Sequence, residues 1–375
     1  MSIIYLDNFA STPVDKEVLQ EINYVMQNNF ANPHSVSHEL GWECNDIIDN
    51  ARLKVAKLVG TKSNNVIFTS GATESNNTLI KCLKYNNNKK TILVSEIEHP
   101  CVLQSAKFME KHGFSVKCIP VDSVGRINMD KFRELLDDTV ALVSIMLVNH
   151  EIGTIQDIKA ISDMTHSVNA LLHSDCAQAI GKIDIDMEAM GIDAISISGH
   201  KFYASKGIGA LIFNEKVDIV SLIDGGGQEK SIRSGTLPTP LIAGLGKACE
   251  LAEKNLADDI IEISKLRDYM ESELLQKIPN SKSLGDAKNR ISGSINLYVP
   301  NIYTDDFFVN LQGVAISSGS ACASAGKKAS NVLQAIGISP KVEALSMRIC
   351  ISNKNTKNEI DTAIKNIVSA IDKTK

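Results

Sequence analysis

One lysine in the sequence has the surroundings of an amine nucleophile. Lys201 follows the run 194–198, whose apolar residues are typical of a buried strand. Burial and nearby cations lower the pKa of a lysine at such a place, which frees its amine for Schiff-base chemistry. Two interpretations are open from these residues alone. One is a Schiff-base lysine that holds a phosphorylated cofactor, with Ser198 and His200 as phosphate donors; the other is a surface lysine after a glycine turn.

A cysteine in the last sixth of the chain is a candidate thiol nucleophile. Cys322 lies within 317–326, a run of small residues, and Lys327 and Lys328 follow. The run predicts an exposed, mobile loop in a positive neighbourhood, which favours a reactive thiolate. An incidental loop cysteine is the alternative. None of the eight cysteines forms a C-x-x-C pair, so we expect most of the others to be reduced, buried and inert.

Strand and helix patterns alternate through the first two thirds of the sequence, which predicts an α/β fold with a largely parallel sheet. Polar residues recur just after the carboxyl ends of the predicted strands. Because these ends form one crevice in an open parallel sheet, we expect the polar residues to converge on a ligand site. They are Thr73, His99, Asn149, Asp175, Gln178, Ser198, His200 and Lys201.

One strand-to-helix junction has the composition of an anion site. The strand 66–69 runs into 70–77, a segment of small and polar residues that opens a helix. Free backbone N–H groups and the helix dipole favour a phosphate there. The segment matches neither the P-loop nor the dinucleotide-binding pattern. A plain helix start with Thr73 as its cap is the alternative.

Composition narrows the class of protein further. The chain has 375 residues, a net charge of -5 and 43% hydrophobic residues, so it can bury a large core and is a poor match to a nucleic-acid binder. It has no apolar run of the roughly 18 residues that a membrane helix needs. The first residues lack the basic-then-apolar pattern of a signal peptide. We therefore expect a cytoplasmic protein without membrane or nucleic-acid partners.

Together these stretches resemble the cysteine desulfurases, pyridoxal-phosphate enzymes of the aspartate-aminotransferase fold, over essentially the whole chain. The resemblance is carried by 5–8, 32–33, 69–76, 98–99, 148–149 with 151–153, Asp175 with Gln178, 198–201, 206–211, 233–236 and 317–322. It implies a large cofactor-binding domain over 14–258, with a mostly parallel seven-stranded sheet. It also implies a smaller α+β domain, made of 1–13 and 259–375, that carries the Cys322 loop.

The resemblance also assigns cofactor contacts. Lys201 would bind the aldehyde carbon of pyridoxal 5'-phosphate, Asp175 would pair with the ring nitrogen, and Gln178 would bond the ring hydroxyl. His99 would stack on the ring and take part in catalysis. The remaining cofactor contacts would be Ala72, Thr73, Asn149, Ser198 and His200, with Thr236 reaching the phosphate from the other subunit of a homodimer.

For the substrate, the resemblance implies L-cysteine. Arg348 would bind its carboxylate through a fork of two N–H groups, assisted by Asn32 and Asn149. Cys322 would attack the sulfur and become a persulfide while L-alanine leaves. An acceptor protein, such as an iron–sulfur scaffold, would then take the sulfur.

Some positions depart from the family's pattern, and other functions remain possible. Asp224 stands before the triple glycine where a histidine is usual, and 328–329 and 351–353 also differ. A selenocysteine lyase or related β-lyase is the second enzyme hypothesis, although the Arg-x-Gly-x-x-Cys pattern usual there is absent. An inactive sulfur-transfer scaffold is the third, and the intact Lys201 and Cys322 argue against it.

Overall fold

The computed structural model describes residues 3–86, 88–318, 330–338 and 344–374. Its strands are β1 (Ile4–Tyr5), β2 (Val66–Thr69), β3 (Thr91–Ser95), β4 (Ser115–Ile119), β5 (Val140–Ser144), β6 (Leu171–Asp175), β7 (Ala194–Ser198), β8 (Gly209–Phe213), β9 (Lys282–Ser283), β10 (Ser294–Pro300), β11 (Val314–Ala315), β12 (Ser317–Ser318) and β13 (Ala344–Cys350). Its α-helices are α1 (Lys16–Asn28), α2 (Glu39–Leu58), α3 (Ala72–Cys82), α4 (Pro100–Glu110), α5 (Met129–Leu135), α6 (Ile158–Ser167), α7 (Met187–Met190), α8 (Thr239–Lys277), α9 (Thr304–Asn310), α10 (Asn331–Ala335) and α11 (Lys357–Thr374).

The central sheet has seven strands in the order β2-β8-β7-β6-β5-β3-β4. Strands β4, β3, β5, β6 and β7 are parallel, whereas β8 runs antiparallel to both β7 and β2. Strands β2, β3, β5 and β7 are buried along their whole length, as expected for strands covered by helices on both faces. The predicted α/β fold with a mostly parallel seven-stranded sheet is confirmed.

A second, antiparallel sheet is formed by β12-β13-β10-β9, and β1 pairs with β11 beside it. A separate apolar core lies under this sheet, built from strand residues such as Leu297 and Ile349 and from helix residues such as Phe307 and Ile364. Helix α11 supplies a periodic apolar face of this core. The spacing of Ile360, Ala363, Ile364, Ile367 and Ile371 predicts one buried face, and all five are buried.

The helix α8 connects the two cores. It has 39 residues, which corresponds to about 58 Å at 1.5 Å per residue. Its first half packs on α1 and α2 through Ile242, Leu245 and Cys249, whereas Met270 and Leu274 enter the second core. One continuous helix therefore contributes side chains to both apolar cores.

The packing face of α2 differs from the sequence prediction. The apolar pattern of 37–58 predicts a buried series of Trp42, Ile47, Ala51, Val55 and Leu58, but the Trp42 side chain is 54% exposed. The buried stripe keeps Ala51 and Val55 of that series but otherwise runs through Cys44 and Ile48, because the helix turns that face toward α8. The apolar ring of Trp42 is left on the surface, with its Nε1 donating to the Val36 carbonyl at 2.9 Å.

Candidate active site

A cavity of about 480 Å³ opens at the carboxyl edge of the central sheet. It is lined by residues that follow β2, β3, β5, β6 and β7, by a segment near the N-terminus and by one residue of β13. The predicted site residues that line it are Ala72, Thr73, His99, Asp175, Gln178, Ser198, His200, Lys201 and Arg348. The convergence expected from the strand-end pattern is thus present for most of the polar residues that follow strands.

Lys201 ends a short 3₁₀ turn, Gly199–Lys201, directly after the buried strand β7. Its ammonium nitrogen donates to the carbonyl oxygens of Phe9 at 2.6 Å and Ala10 at 3.1 Å. The chain therefore brings an amine into the cavity on a rigid strand end and holds it with carbonyl groups of the N-terminal segment.

Asp175 ends strand β6 and is 5% exposed. One carboxylate oxygen accepts the backbone N–H of Ala177 at 2.9 Å, and the other accepts the Asn76 amide at 2.8 Å. These bonds fix the carboxylate at the cavity wall, where it can pair with a protonated ring nitrogen.

His99 is the N-cap of helix α4. Its Nδ1 accepts the backbone N–H of Cys101 at 3.2 Å, which assigns the remaining ring proton to Nε2. Burial lowers the pKa of His99, the Lys201 charge lowers it further, and Asp175 opposes both. The ring is consequently neutral near pH 7, and its apolar face is available for stacking.

The junction between β2 and α3 is shaped for a phosphate. Helix α3 starts at Ala72 with Gly71 as its N-cap and without a side-chain cap bond, so the interpretation of Thr73 as the cap is wrong. A Cβ on Gly209 would lie 2.6 Å from Gly71 Cα, and one on Gly71 would lie 3.3 Å from Ser198 Oγ. Only glycines allow this close approach, and the N–H groups of the first helical turn remain available to an anion.

His200 closes the same end of the cavity. Its Nδ1 lies 3.2 Å from Ser11 Oγ, and burial together with Lys201, Lys206 and Lys182 lowers its pKa to about 4. The imidazole is therefore neutral above about pH 5, and it can donate a single N–H without adding charge.

Arg348 lies on β13 and is 3% exposed. Its Nη2 donates to Asp7 Oδ1 at 2.8 Å and its Nη1 donates to the His150 carbonyl at 3.0 Å. Its buried Nε has no hydrogen-bond partner among the described residues. A buried guanidinium with an unused N–H beside a cavity fits the binding of a carboxylate.

Asn149, predicted to contact both cofactor and substrate, does not line this cavity. Its amide nitrogen donates to the Ile97 carbonyl, and its oxygen accepts the N–H groups of Glu151 and Ile152. The side chain therefore stabilises the loop after β5 through backbone contacts. The next residue, His150, lines the cavity instead.

His150 was not among the predicted site residues. Its ring lies edge-on to that of His99, with centroids 5.5 Å apart, and its Nδ1 is buried without a partner in the described parts of the chain. Burial lowers the pKa of His150 well below 6.5, with further lowering from His99, Arg348 and Lys201. Its position in the loop that follows β5, next to Asn149, was the available signal.

Three other predicted residues lie outside the cavity or outside the described residues. Asn32 is exposed, and its side chain accepts the His34 N–H at 3.0 Å. Thr236 is exposed as well. Cys322 falls within 319–329, which lies outside the described residues.

Comparisons with known proteins agree with this geometry. Residues 4–362 match the family model of class-V aminotransferases. The chain is 42% identical to a cysteine desulfurase, IscS, of Rickettsia prowazekii (strain Madrid E), over 99% of this chain and 91% of that protein. A solved NifS-like protein superposes with a TM-score of 0.91 at 34% identity, covering 98% of both chains. The structure of SspA in complex with cysteine has a TM-score of 0.80 at 34% identity and covers 94% of this chain and all of that one.

These matches extend over nearly the full chain, and at over 30% identity they show more than a shared fold. The chain belongs to the class-V aminotransferase family and, within it, to the pyridoxal-phosphate-dependent cysteine desulfurases. The family expected from the sequence motifs is thereby confirmed. Among the described residues, no helix combines the length and apolar character needed to cross a membrane.

Proposed function

We propose that this protein takes the sulfur of L-cysteine, releases L-alanine and passes the sulfur to an acceptor protein through Cys322. The observation that carries the proposal is the cavity itself. It joins a strand-end lysine, a buried carboxylate, a neutral histidine and an anion-binding helix start at one sheet edge. Each of these groups matches one part of a phosphorylated pyridine aldehyde.

The described residues fit pyridoxal 5'-phosphate. Its phosphate would lie at the start of α3, held by Ala72, Thr73, Ser198 and His200, where the two glycines leave room for it. Its ring would lie between Asp175 and His99, with Gln178 at the ring hydroxyl and Lys201 joined to the aldehyde carbon. Bound there, the cofactor supplies an electron sink for charge that develops on the substrate.

Side chains of the protein would bind the substrate and move its protons. Arg348 binds the substrate carboxylate through its unused Nε–H and one Nη–H, while Asp7 holds the guanidinium in place. The Lys201 amine would take the proton from the substrate α-carbon and return it during the reaction. His99 remains neutral, so its Nε2–H can donate a hydrogen bond to the reacting atoms without adding a buried charge.

Cys322 performs the sulfur transfer. Its thiolate bonds to the sulfur of the substrate, the carbon–sulfur bond of the substrate breaks, and the β-carbon takes up a proton. The balance is one thiol plus L-cysteine giving one persulfide plus L-alanine, with no outside oxidant. The persulfide sulfur then passes to an acceptor, for which an iron–sulfur scaffold protein is our proposal.

We also propose a cytoplasmic homodimer with 14–258 as the large domain and 1–13 with 259–375 as the small one. The support is a group of large apolar side chains that the single chain leaves on its surface. Phe30 is 76% exposed and Val36 is 81% exposed, and Tyr24, Met26 and Trp42 accompany them on α1, the loop that follows it, and the start of α2. Burying such a group between two copies removes it from water. In the dimer, Thr236 would complete the partner's phosphate site.

The proposal is tested by cofactor trapping and product analysis. Purified protein treated with borohydride is expected to carry the cofactor on the peptide that contains Lys201, and L-cysteine is expected to yield one L-alanine per transferred sulfur. Labelling of a different lysine, or L-alanine formation that persists in Lys201→Ala, would refute the assignment. Release of selenium from selenocysteine without activity on L-cysteine would indicate a lyase instead.

A further inference from the structure

A second lysine lies next to the cavity but takes no part in the proposed chemistry. Lys182 lies in the turn after β6 and is partly buried. Its ammonium nitrogen is 3.0 Å from Gln178 Oε1 and 4.8 Å from the centroid of the Phe9 ring. The side chain is therefore held by an amide oxygen on one side and an aromatic face on the other.

This contact determines which end of the Gln178 amide can face the cofactor site. The oxygen is occupied by Lys182, and the nitrogen donates to the Phe9 carbonyl at 2.8 Å. The same carbonyl accepts Lys201 at 2.6 Å. Lys182, Gln178, the Phe9 carbonyl and Lys201 thus form one continuous set of hydrogen bonds, in which Gln178 has only an N–H left to offer to a ring oxygen.

The charges around Lys182 are predominantly positive. Lys201 and Arg348 repel its ammonium, His200 is neutral, and the Cys350 thiol is its acidic neighbour. Burial, together with Lys201 and Arg348, lowers the pKa of Lys182 to about 7. Its protonation is therefore sensitive to any change in charge within the cavity.

We propose that Lys182 is a positioning residue of the cofactor site: its ammonium fixes the Gln178 amide beside Lys201, and its protonation is coupled to cofactor binding. The inference rests on the proposed function, since it takes the cavity to be a pyridoxal phosphate site. Cofactor binding ties up the Lys201 nitrogen and brings in an anionic phosphate. Both changes favour the ammonium form of Lys182, so the occupied site takes up a proton there.

The direction of the pH dependence follows from this coupling. A group whose pKa is higher in the bound state adds affinity that is complete below its free-state pKa and disappears as the pH rises through its bound-state pKa. The contribution of Lys182 to cofactor affinity is therefore expected to be full below about pH 7 and lost at higher pH. It amounts to about tenfold in affinity for each unit by which binding raises the Lys182 pKa.

The test compares full-length wild type with Lys182→Met and Lys182→Arg, each stripped of cofactor and titrated with pyridoxal phosphate between pH 6 and pH 9. Visible absorption of the bound cofactor gives the dissociation constant. Lys57→Met, which removes an exposed charge on α2 outside the cavity, is the matched control. We expect Lys182→Met to bind at least about tenfold more weakly than wild type at pH 6 and similarly at pH 9. We expect the affinity ratio between the Arg and Met variants to stay constant with pH, because neither residue titrates.

Each other outcome has a separate meaning. Equal affinities of wild type and Lys182→Met at every pH would overturn the inference and leave the proposed function intact. A wild type that binds no pyridoxal phosphate would refute the proposed function itself. If Lys182→Met fails to fold, Lys182→Arg decides alone, because an Arg variant with the pH dependence of wild type contradicts the coupling.

Discussion

The substitution Glu229→Gln tests the ion pair that fixes the glycine-rich loop preceding α8. The Glu229 side chain is 1% exposed, and its two oxygens accept both terminal nitrogens of Arg52, at 2.7 and 3.0 Å, and the Phe68 backbone N–H at 2.6 Å. These contacts hold Glu229, Lys230 and Ser231 at φ values of 44°, 58° and 62°. Left-handed backbone at such residues costs of order 1–3 kcal/mol each, so the ion pair offsets local strain.

Glutamine has nearly the same shape but presents an NH₂ group to the Arg52 donors and leaves that guanidinium uncompensated. Breaking a buried pair from one side costs about 3–5 kcal/mol. Because Phe68 lies on β2 and donates to Glu229, its backbone amide reports the loss locally. At 1.4 kcal/mol per factor of ten, we expect its hydrogen-exchange protection to fall by roughly 140- to 3,700-fold.

Native-state hydrogen exchange with fragment mass spectrometry is the appropriate assay, because a two-core chain need not unfold in a single two-state transition. The control is Asp130→Asn, which breaks the Asp130–Arg133 pair, whose side chains are 88% and 67% exposed; it is expected to change protection little, as exposed pairs contribute at most about 1 kcal/mol. A Glu229→Gln protein whose β2 amides exchange like those of the control would refute the reasoning.

Three further predictions concern the chemistry and the pH response. Cys322→Ser is expected to keep cofactor binding and to lose nearly all L-alanine production, with a mass gain of about 32 Da on the wild-type loop peptide marking the persulfide; an adduct on another cysteine would contradict this. Arg348→Lys is expected to raise KM for L-cysteine by about 10- to 100-fold with a smaller effect on kcat, because one ammonium cannot reproduce the guanidinium fork; an unchanged KM in steady-state kinetics would show that the carboxylate binds elsewhere. Burial lowers the pKa of His173 from 6.5 to about 4, so the unfolded chain binds its proton first and stability should fall by roughly 3 kcal/mol in total as the pH drops from 6.5 to 4. His173→Asn should reduce that loss in pH-dependent unfolding, whereas the exposed His34→Asn should not.

Much of the site could be predicted from the sequence because most of its residues directly follow the carboxyl ends of strands. The alternation of strands and helices and the polar residue after each strand determine which groups meet at a parallel sheet edge. Asp175, His99 and Lys201 were identified in this way, and the structure brings them to one cavity. Their placement needs only the direction of each strand, which the local pattern supplies.

The site residues that the sequence did not predict are those whose role depends on the direction of a side chain within a turn. Asn149 and His150 are adjacent, and a sequence pattern cannot distinguish the one that bonds the loop backbone from the one that faces the cavity. Lys182 was missed for a related reason, since its contact with Gln178 requires a turn of known shape. Trp42 was assigned to the wrong face because adjacent helical positions differ by only 100°.

The N-terminal segment determines when the site can be completed during synthesis. The Phe9 carbonyl contacts Lys201 across 192 residues, and Asp7 contacts Arg348 across 341. Ribosomes add about 5–20 residues per second, so Asp7 waits roughly 20–70 s for its partner. The Phe9 carbonyl likewise lacks its contact until Lys201 has been made, and β1 lacks its strand pairing until β11 has been made. The segment from Ile4 to Ala10 is thus made long before its partners, and a nascent chain that is released before β13 is complete carries this segment without its ion pair to Arg348.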